Sequence, residues 1–205
     1  MKRLVLIGEG QALEQAHRTV QACGLDHVVI ALESPDRYNF DLGALRASHP
    51  AATTDVFVAL DERAVNQSRH KLLADVRLAG YGSIDLVWPQ AHVDAGVRLL
   101  GNVHIGPGCN IAAGSSIGPG AWLERQVIVE QDARIGACVT LHAGVHLGRS
   151  TQIGQGSTLG GGSMTRSGAS IGRHCEWLLP GTVPDVLPDR CFYDALMPGG
   201  ARILR

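Results

Sequence analysis

Val103-His104-Ile105-Gly106-Pro107-Gly108-Cys109-Asn110-Ile111-Ala112-Ala113-Gly114-Ser115-Ser116-Ile117-Gly118-Pro119-Gly120-Ala121-Trp122-Leu123 repeats its character every six residues. Ile105, Ile111, Ile117 and Leu123 mark the beat. Upstream it passes through Val93 and Leu99, and downstream through Val129, Ile135, Leu141, Leu147, Ile153 and Leu159. Four residues after each of these stands a small or β-branched residue: Val97, Val103, Cys109, Ser115, Ala121, Val127, Ala133, Val139, Val145 and onward to Cys175.

Such a period is the mark of a parallel β-helix built from hexapeptides. Three hexads close one triangular coil, so residues eighteen apart stack at the strand spacing of about 4.8 Å. The expected form is a left-handed β-helix over residues 89–182, which departs from the right-handed rule for parallel crossovers. Gly106, Gly118, Gly136, Gly148, Gly154, Gly160 and Gly172 each follow the aliphatic residue. They are expected at corners whose backbone takes a positive φ that a side chain would strain.

Working back from the repeat, residues 1–88 alternate strand-like and helix-like runs. RLVLI, HVVIAL, DVFVAL and SIDLVW read as strands, and Ala12–Cys23, Leu42–Ala47 and Glu62–Val76 as helices. This is the pattern of a small βαβ domain with a parallel sheet. Gly24 is placed to end the first helix and Asp61 to cap the third. Gly8-Glu9-Gly10-Gln11 joins the first strand to its helix, where backbone N–H groups could cradle an anion. Without a third spaced glycine, and with Glu9 opposing a phosphate, the same residues equally make a tight turn. Residues 183–205 form a tail.

The chain has 205 residues and a formal net charge of −1, which argues against nucleic acid or an anionic membrane as partner. The apolar run before Gly8 is too short for a secretory core or a membrane span, so a cytoplasmic protein is expected. Five cysteines without CxxC or ligand spacing read as reduced thiols.

A short βαβ domain followed by this β-helix resembles, end to end, the sugar O- and N-acetyltransferases of bacterial glycan synthesis, the bacillosamine and sialic-acid pathway type. The resemblance implies a Rossmann-like first domain. It is carried by Ile7-Gly8-Glu9-Gly10-Gln11, by Val129-Glu130-Gln131-Asp132-Ala133-Arg134-Ile135-Gly136, and by the tail segment Met197-Pro198-Gly199-Gly200-Ala201-Arg202-Ile203. The family's middle motif is Ile-Glu-His-Asp-Cys-x-Ile-Gly, whose histidine is the general base and whose next acidic residue raises its basicity. Here that histidine is Gln131, which cannot take a proton at neutral pH. Asp132 keeps the acidic place.

The resemblance further implies a homotrimer, with acetyl-CoA as co-substrate in a groove between subunits. Thr140 and Gly161 occupy positions like those of coenzyme contacts, with Arg149, Arg166 and Arg173 near its phosphates. It also implies an acceptor site at Gly8, Gly10, Gln11 and Glu33, although the family's Gly-x-Gly-Gly-His is one residue short here.

A replacement base can be sought among nine histidines. His142 and Glu124 are eighteen apart and stack at one corner, where the carboxylate would orient the imidazole and raise its basicity. The same spacing also describes a solvated pair. A metal site is not expected: His92 and His146 share a face but stand three coils, about 14 Å, apart, and zinc needs ligands at about 2 Å. The function expected is acyl-CoA-dependent transfer to a sugar nucleotide or similar polar acceptor. The alternative is a catalytically weak trimeric relative that serves as a binding or scaffold protein.

Overall fold

A computed structural model of the chain describes residues 2–203. Strand β1 (Arg3–Gly8) pairs in parallel with β2 (His27–Ala31) on one side and β3 (Thr54–Ala59) on the other, giving the sheet order β2-β1-β3. Helices α1 (Gly10–Ala22), α2 (Gly43–Ser48) and α3 (Gln67–Leu78) connect and cover these strands. Val5, Leu6, Ile7, Val56, Phe57 and Val58 are fully buried, as a strand packed on both faces requires.

This unit is smaller than the alternation of the sequence suggests. Of SIDLVW, only Leu86–Val87 is a strand, and it pairs with His104–Ile105 as the first rung of the β-helix rather than with β1–β3. The third helix begins at Gln67, not Glu62, and Asp61 does not cap it. Asp61 is instead paired with Arg63, and Ala64, Val65 and Asn66 all have positive φ, which no right-handed helix tolerates.

From Leu86 onward the chain is the left-handed β-helix that the hexads predict. Two-residue strands stack into three parallel faces, with His104, Trp122, Thr140 and Thr158 in register on one, and Asn110, Ile128 and His146 on the next. Ser116, Arg134 and Gln152 stand in register on the third. Ile105, Ile111, Ile117, Leu123, Leu141 and Leu147 are fully buried inside the prism with the small beat between them. Each such side chain contributes about 1.5–3 kcal/mol. Thr158 pairs with Glu176, but Glu176 pairs with Phe192, so the last coil is two residues shorter.

The glycines after the aliphatic residues need a different explanation from the one the sequence suggests. None of them has a positive φ. A Cβ on Gly118 would lie 2.5 Å from the backbone of Gly136, one coil on, so the constraint is close approach between coils. The left-handed residues recur two places later, at Asn102, Gly108, Gly114, Gly120, Gln126 and Asp132.

The N-terminal unit docks on the face that holds Leu86, His104, Trp122, Thr140 and Thr158. These outward side chains are buried, whereas Asn110, Ile128, Arg134 and Gln152 on the other faces are exposed. His104 stacks on Trp122 at 4.1 Å and pairs with Thr19 of α1 at 2.9 Å. Trp122 Nε1 donates to Gln15 of the same helix.

Candidate functional site

Docking leaves a cleft of about 420 Å³ between the two units, lined among others by Gln11, Asp61, Glu62, Arg69, Glu124 and His142. A second hollow of about 370 Å³ continues it past Gln11 and Glu124 toward Arg18, Trp88 and Arg125.

His142 is the first residue after the strand Thr140–Leu141, and its ladder neighbour Glu124 follows Trp122–Leu123. His142 Nδ1 lies 3.2 Å from Glu124 Oε1, and Nε2 lies 3.7 Å from Glu62 Oε1. Glu124 is itself fixed, because its Oε2 accepts the Ala143 N–H at 3.0 Å. Both side chains are about one-quarter exposed. The hydrogen bond that the imidazole donates to Glu124 holds His142 above its ordinary pKa against the opposing effect of burial, and the same bond holds Glu124 below the usual carboxylate range. An oriented imidazole with one nitrogen toward a cleft is equipped to accept a proton.

The wall opposite His142 is a turn whose backbone is strained. Ala64, Val65 and Asn66 take φ of 51°, 54° and 60°, a conformation costing roughly 1–2 kcal/mol per residue without glycine. Asn66 is completely buried and supplies the compensation. Its N–H closes the turn onto Glu62 O at 3.0 Å, its Nδ2 donates to Gly156 O and Thr158 Oγ1, and its Oδ1 accepts from Thr140 Oγ1 at 2.8 Å. Arg69, also fully buried, donates to Asn66 Oδ1 and Thr140 Oγ1 and lies 5.9 Å from the Trp122 ring centre. Burial pushes the Arg69 guanidinium below its ordinary pKa.

The structure brings some of the sequence candidates together and separates others. Gln11, Glu124 and His142 share the cleft. Gly161 is exposed on the same corner, one coil beyond His142, where an added Cβ would lie 3.3 Å from Ala143 O. Gly8 abuts β3 so closely that a Cβ would lie 1.8 Å from Ala59 O, and Gly10 opens α1 with φ of 60°. Leu32 N–H donates to Gly8 O, which sets the exposed Glu33 alongside that loop. Glu9 is ion-paired with Arg63.

Gln131, Asp132 and Arg149 lie on the next corner, between the other two faces. Gln131 is exposed and accepts a hydrogen bond from Arg149, and Asp132 occupies a left-handed turn position with φ of 62°. Among the described residues neither is hydrogen-bonded or ion-paired to His142. Thr140, which the resemblance places among the coenzyme contacts, lines the same cleft but is 1% exposed, with its hydroxyl taken up by Asn66 and Arg69. The sequence offers no functional reading of Glu62, Asn66 or Arg69. The available signal was Trp122, a large ring at an outward hexad position, which marks a face that something must cover. Among the described residues no group of three or more His, Cys, Asp or Glu is arranged to hold a metal ion, and no helix is long and apolar enough to cross a membrane.

No protein-family model matches the chain, and no curated protein matches it in sequence. Solved structures do. PerB from Caulobacter crescentus, in complex with CoA and GDP-perosamine, is 25% identical, with 94% of this chain and 93% of that chain covered and a TM-score of 0.61. The acetyltransferase domain of PglB from Neisseria gonorrhoeae, in complex with acetyl coenzyme A, is 19% identical at a TM-score of 0.59, over 94% of this chain and 96% of that one. WeeI from Acinetobacter baumannii is 16% identical at a TM-score of 0.58, with the same coverage. The fold is shared along nearly the whole chain.

Proposed function

We propose that the protein is an acetyl-CoA-dependent transferase that acetylates an amino group of a sugar nucleotide in bacterial surface-glycan synthesis. The observation that carries this is the His142–Glu124 pair on a cleft that both units form. Likeness to PerB over nearly the whole chain supports the choice of substrates. The N-terminal sheet is read as a reduced Rossmann-like domain whose Gly8–Gln11 loop and Glu33 face the acceptor.

In this reading Glu124 holds the Nδ1–H of His142 and leaves Nε2 to work as general base. The acceptor nitrogen attacks the thioester carbonyl and gives a proton to Nε2. The new C–N bond forms as the C–S bond breaks, and the leaving thiolate takes the proton back from the imidazolium. The bare backbone at Gly161 and the guanidinium of Arg149 are assigned to the coenzyme. Because Arg149 stands on the next corner, the complete site is assigned to a homotrimer in which a neighbouring subunit brings that corner to the cleft. On this reading the protein works in the cytoplasm.

Coenzyme release in the presence of acetyl-CoA and GDP-perosamine tests the reading, with light scattering for the trimer. Turnover that falls about 10²- to 10⁴-fold in His142→Ala supports it. An inactive wild type together with an inert Gln131→His variant would sink it. The scaffold alternative would then stand, favoured by the Gln131–Arg149 bond at the position that the sequence resemblance gives to the family's base.

A further inference from the structure

Three consecutive non-glycine residues in the left-handed region, locked by two fully buried polar side chains, are a costly way to build a five-residue turn. Such strain persists where the surroundings enforce it, so what the turn delivers becomes informative. Asp61 and Glu9 are both neutralised by Arg63. Glu62 forms no ion pair with a lysine or arginine: its one ion-pair partner among the described residues is His142, at 3.7 Å from Nε2, and the buried Arg69 guanidinium acts on it only through space. That separation is too long for a hydrogen bond and leaves a gap between a carboxylate oxygen and the nitrogen assigned as base. The Glu62 side chain is 42% exposed and lines the cleft, and with Glu176 it lines a neighbouring hollow.

We propose that Glu62 is a specificity-determining residue that selects an amine over a hydroxyl as the acceptor nucleophile. The assignment rests on the transferase reading. An amine that gives one hydrogen to His142 Nε2 retains another for the Glu62 carboxylate, and its lone pair is then aimed away from both, toward the thioester. A hydroxyl has a single hydrogen. Once that is shared with His142 it has nothing to offer Glu62, whose charge faces the hydroxyl lone pairs. Glu62 gains and loses no proton in the transfer; it accepts a hydrogen bond that only a nitrogen nucleophile can make. The buried Asn66–Arg69–Thr140 network keeps the carboxylate there, because Asn66 closes the turn onto Glu62 and Thr140 is two residues from His142.

The test measures kcat/KM of the full-length protein with acetyl-CoA and two acceptors, GDP-perosamine and its counterpart bearing a hydroxyl in place of the amine. For Glu62→Gln, which keeps size and can still accept one hydrogen bond, the preference for the amine should fall about tenfold, and for Glu62→Ala about ten- to a hundredfold. The readout is the ratio between the two acceptors, because loss of the Glu62 charge also lowers the basicity of His142 and acts on both acceptors alike. Circular dichroism and the oligomeric state of both variants control for folding. Equal losses on both acceptors, or an unchanged preference in both variants, overturn the assignment while leaving the transferase reading intact. No turnover by wild type on either acceptor overturns both.

Discussion

Asn102 and Val58 satisfy each other completely: Val58 N–H donates to Asn102 Oδ1 at 2.6 Å, and Asn102 Nδ2 donates to Val58 O at 2.9 Å. A side-chain amide from a corner of the β-helix thus stands where another strand would pair with the free edge of β3. The edge is closed, and the two units are joined at a buried point.

Asn102→Ala should therefore destabilise the protein by about 3 kcal/mol, since it orphans two buried backbone groups at roughly 1–3 kcal/mol each. Urea unfolding would register this. A loss below 1 kcal/mol would mean that the junction relaxes to admit water.

Gly118→Ala should cost about 1–3 kcal/mol although the φ of Gly118 is not positive, because the added methyl meets the backbone of Gly136 at 2.5 Å. Gly168→Ala is the informative contrast, having a φ of 78° and nothing within 4 Å. Its cost should be that of backbone strain alone, and thermal melting of the pair separates packing from conformation.

The acid limb of the pH–rate profile should lie above the ordinary histidine value. His142 must be neutral to accept a proton, and Glu124 raises its pKa, so activity increases as pH rises through that raised value. Glu124→Gln should move the limb to lower pH while reducing the maximal rate. A limb that stays in place would separate Glu124 from the titration. The same coupling contributes stability that is present below the unfolded-state value and is lost as pH rises through the folded one.

His104 behaves in the opposite way. Burial depresses its pKa to about 4, so between about pH 6.5 and 4 the unfolded chain binds a proton that the folded one does not. Stability should be lost as pH falls through this window, by about 3 kcal/mol in total. His104→Phe keeps a ring on Trp122, and the Thr19 hydroxyl retains its bond to Gln15 O. Its stability should depend less steeply on pH than that of wild type, and parallel profiles would remove His104 as the cause.

The β-helix was legible because a solenoid repeats one local solution, and its core writes itself into the sequence at every sixth residue, from Val93 to Leu159. Stacking at eighteen residues even placed Glu124 beside His142, since register along a ladder is arithmetic. The reason for the post-aliphatic glycines was not legible. A positive φ is a local property that a pattern can suggest, but the approach of Gly118 to Gly136 depends on how tightly successive coils stack. The N-terminal unit fell between these cases. Its three strands were read correctly as runs, yet Leu86–Val87 joined the β-helix because pairing partners are chosen in three dimensions.

The sequence by itself therefore determined the repeat, the interior of the prism and which residues could meet along one ladder. Only the tertiary structure decided which face is covered, that Thr140 is buried beneath Asn66 and Arg69, and that Glu62 is carried to within 3.7 Å of His142. Those contacts join residues some eighty positions apart on two units with no common period, and they arise from the fit of two surfaces. No repeat in either segment encodes that fit.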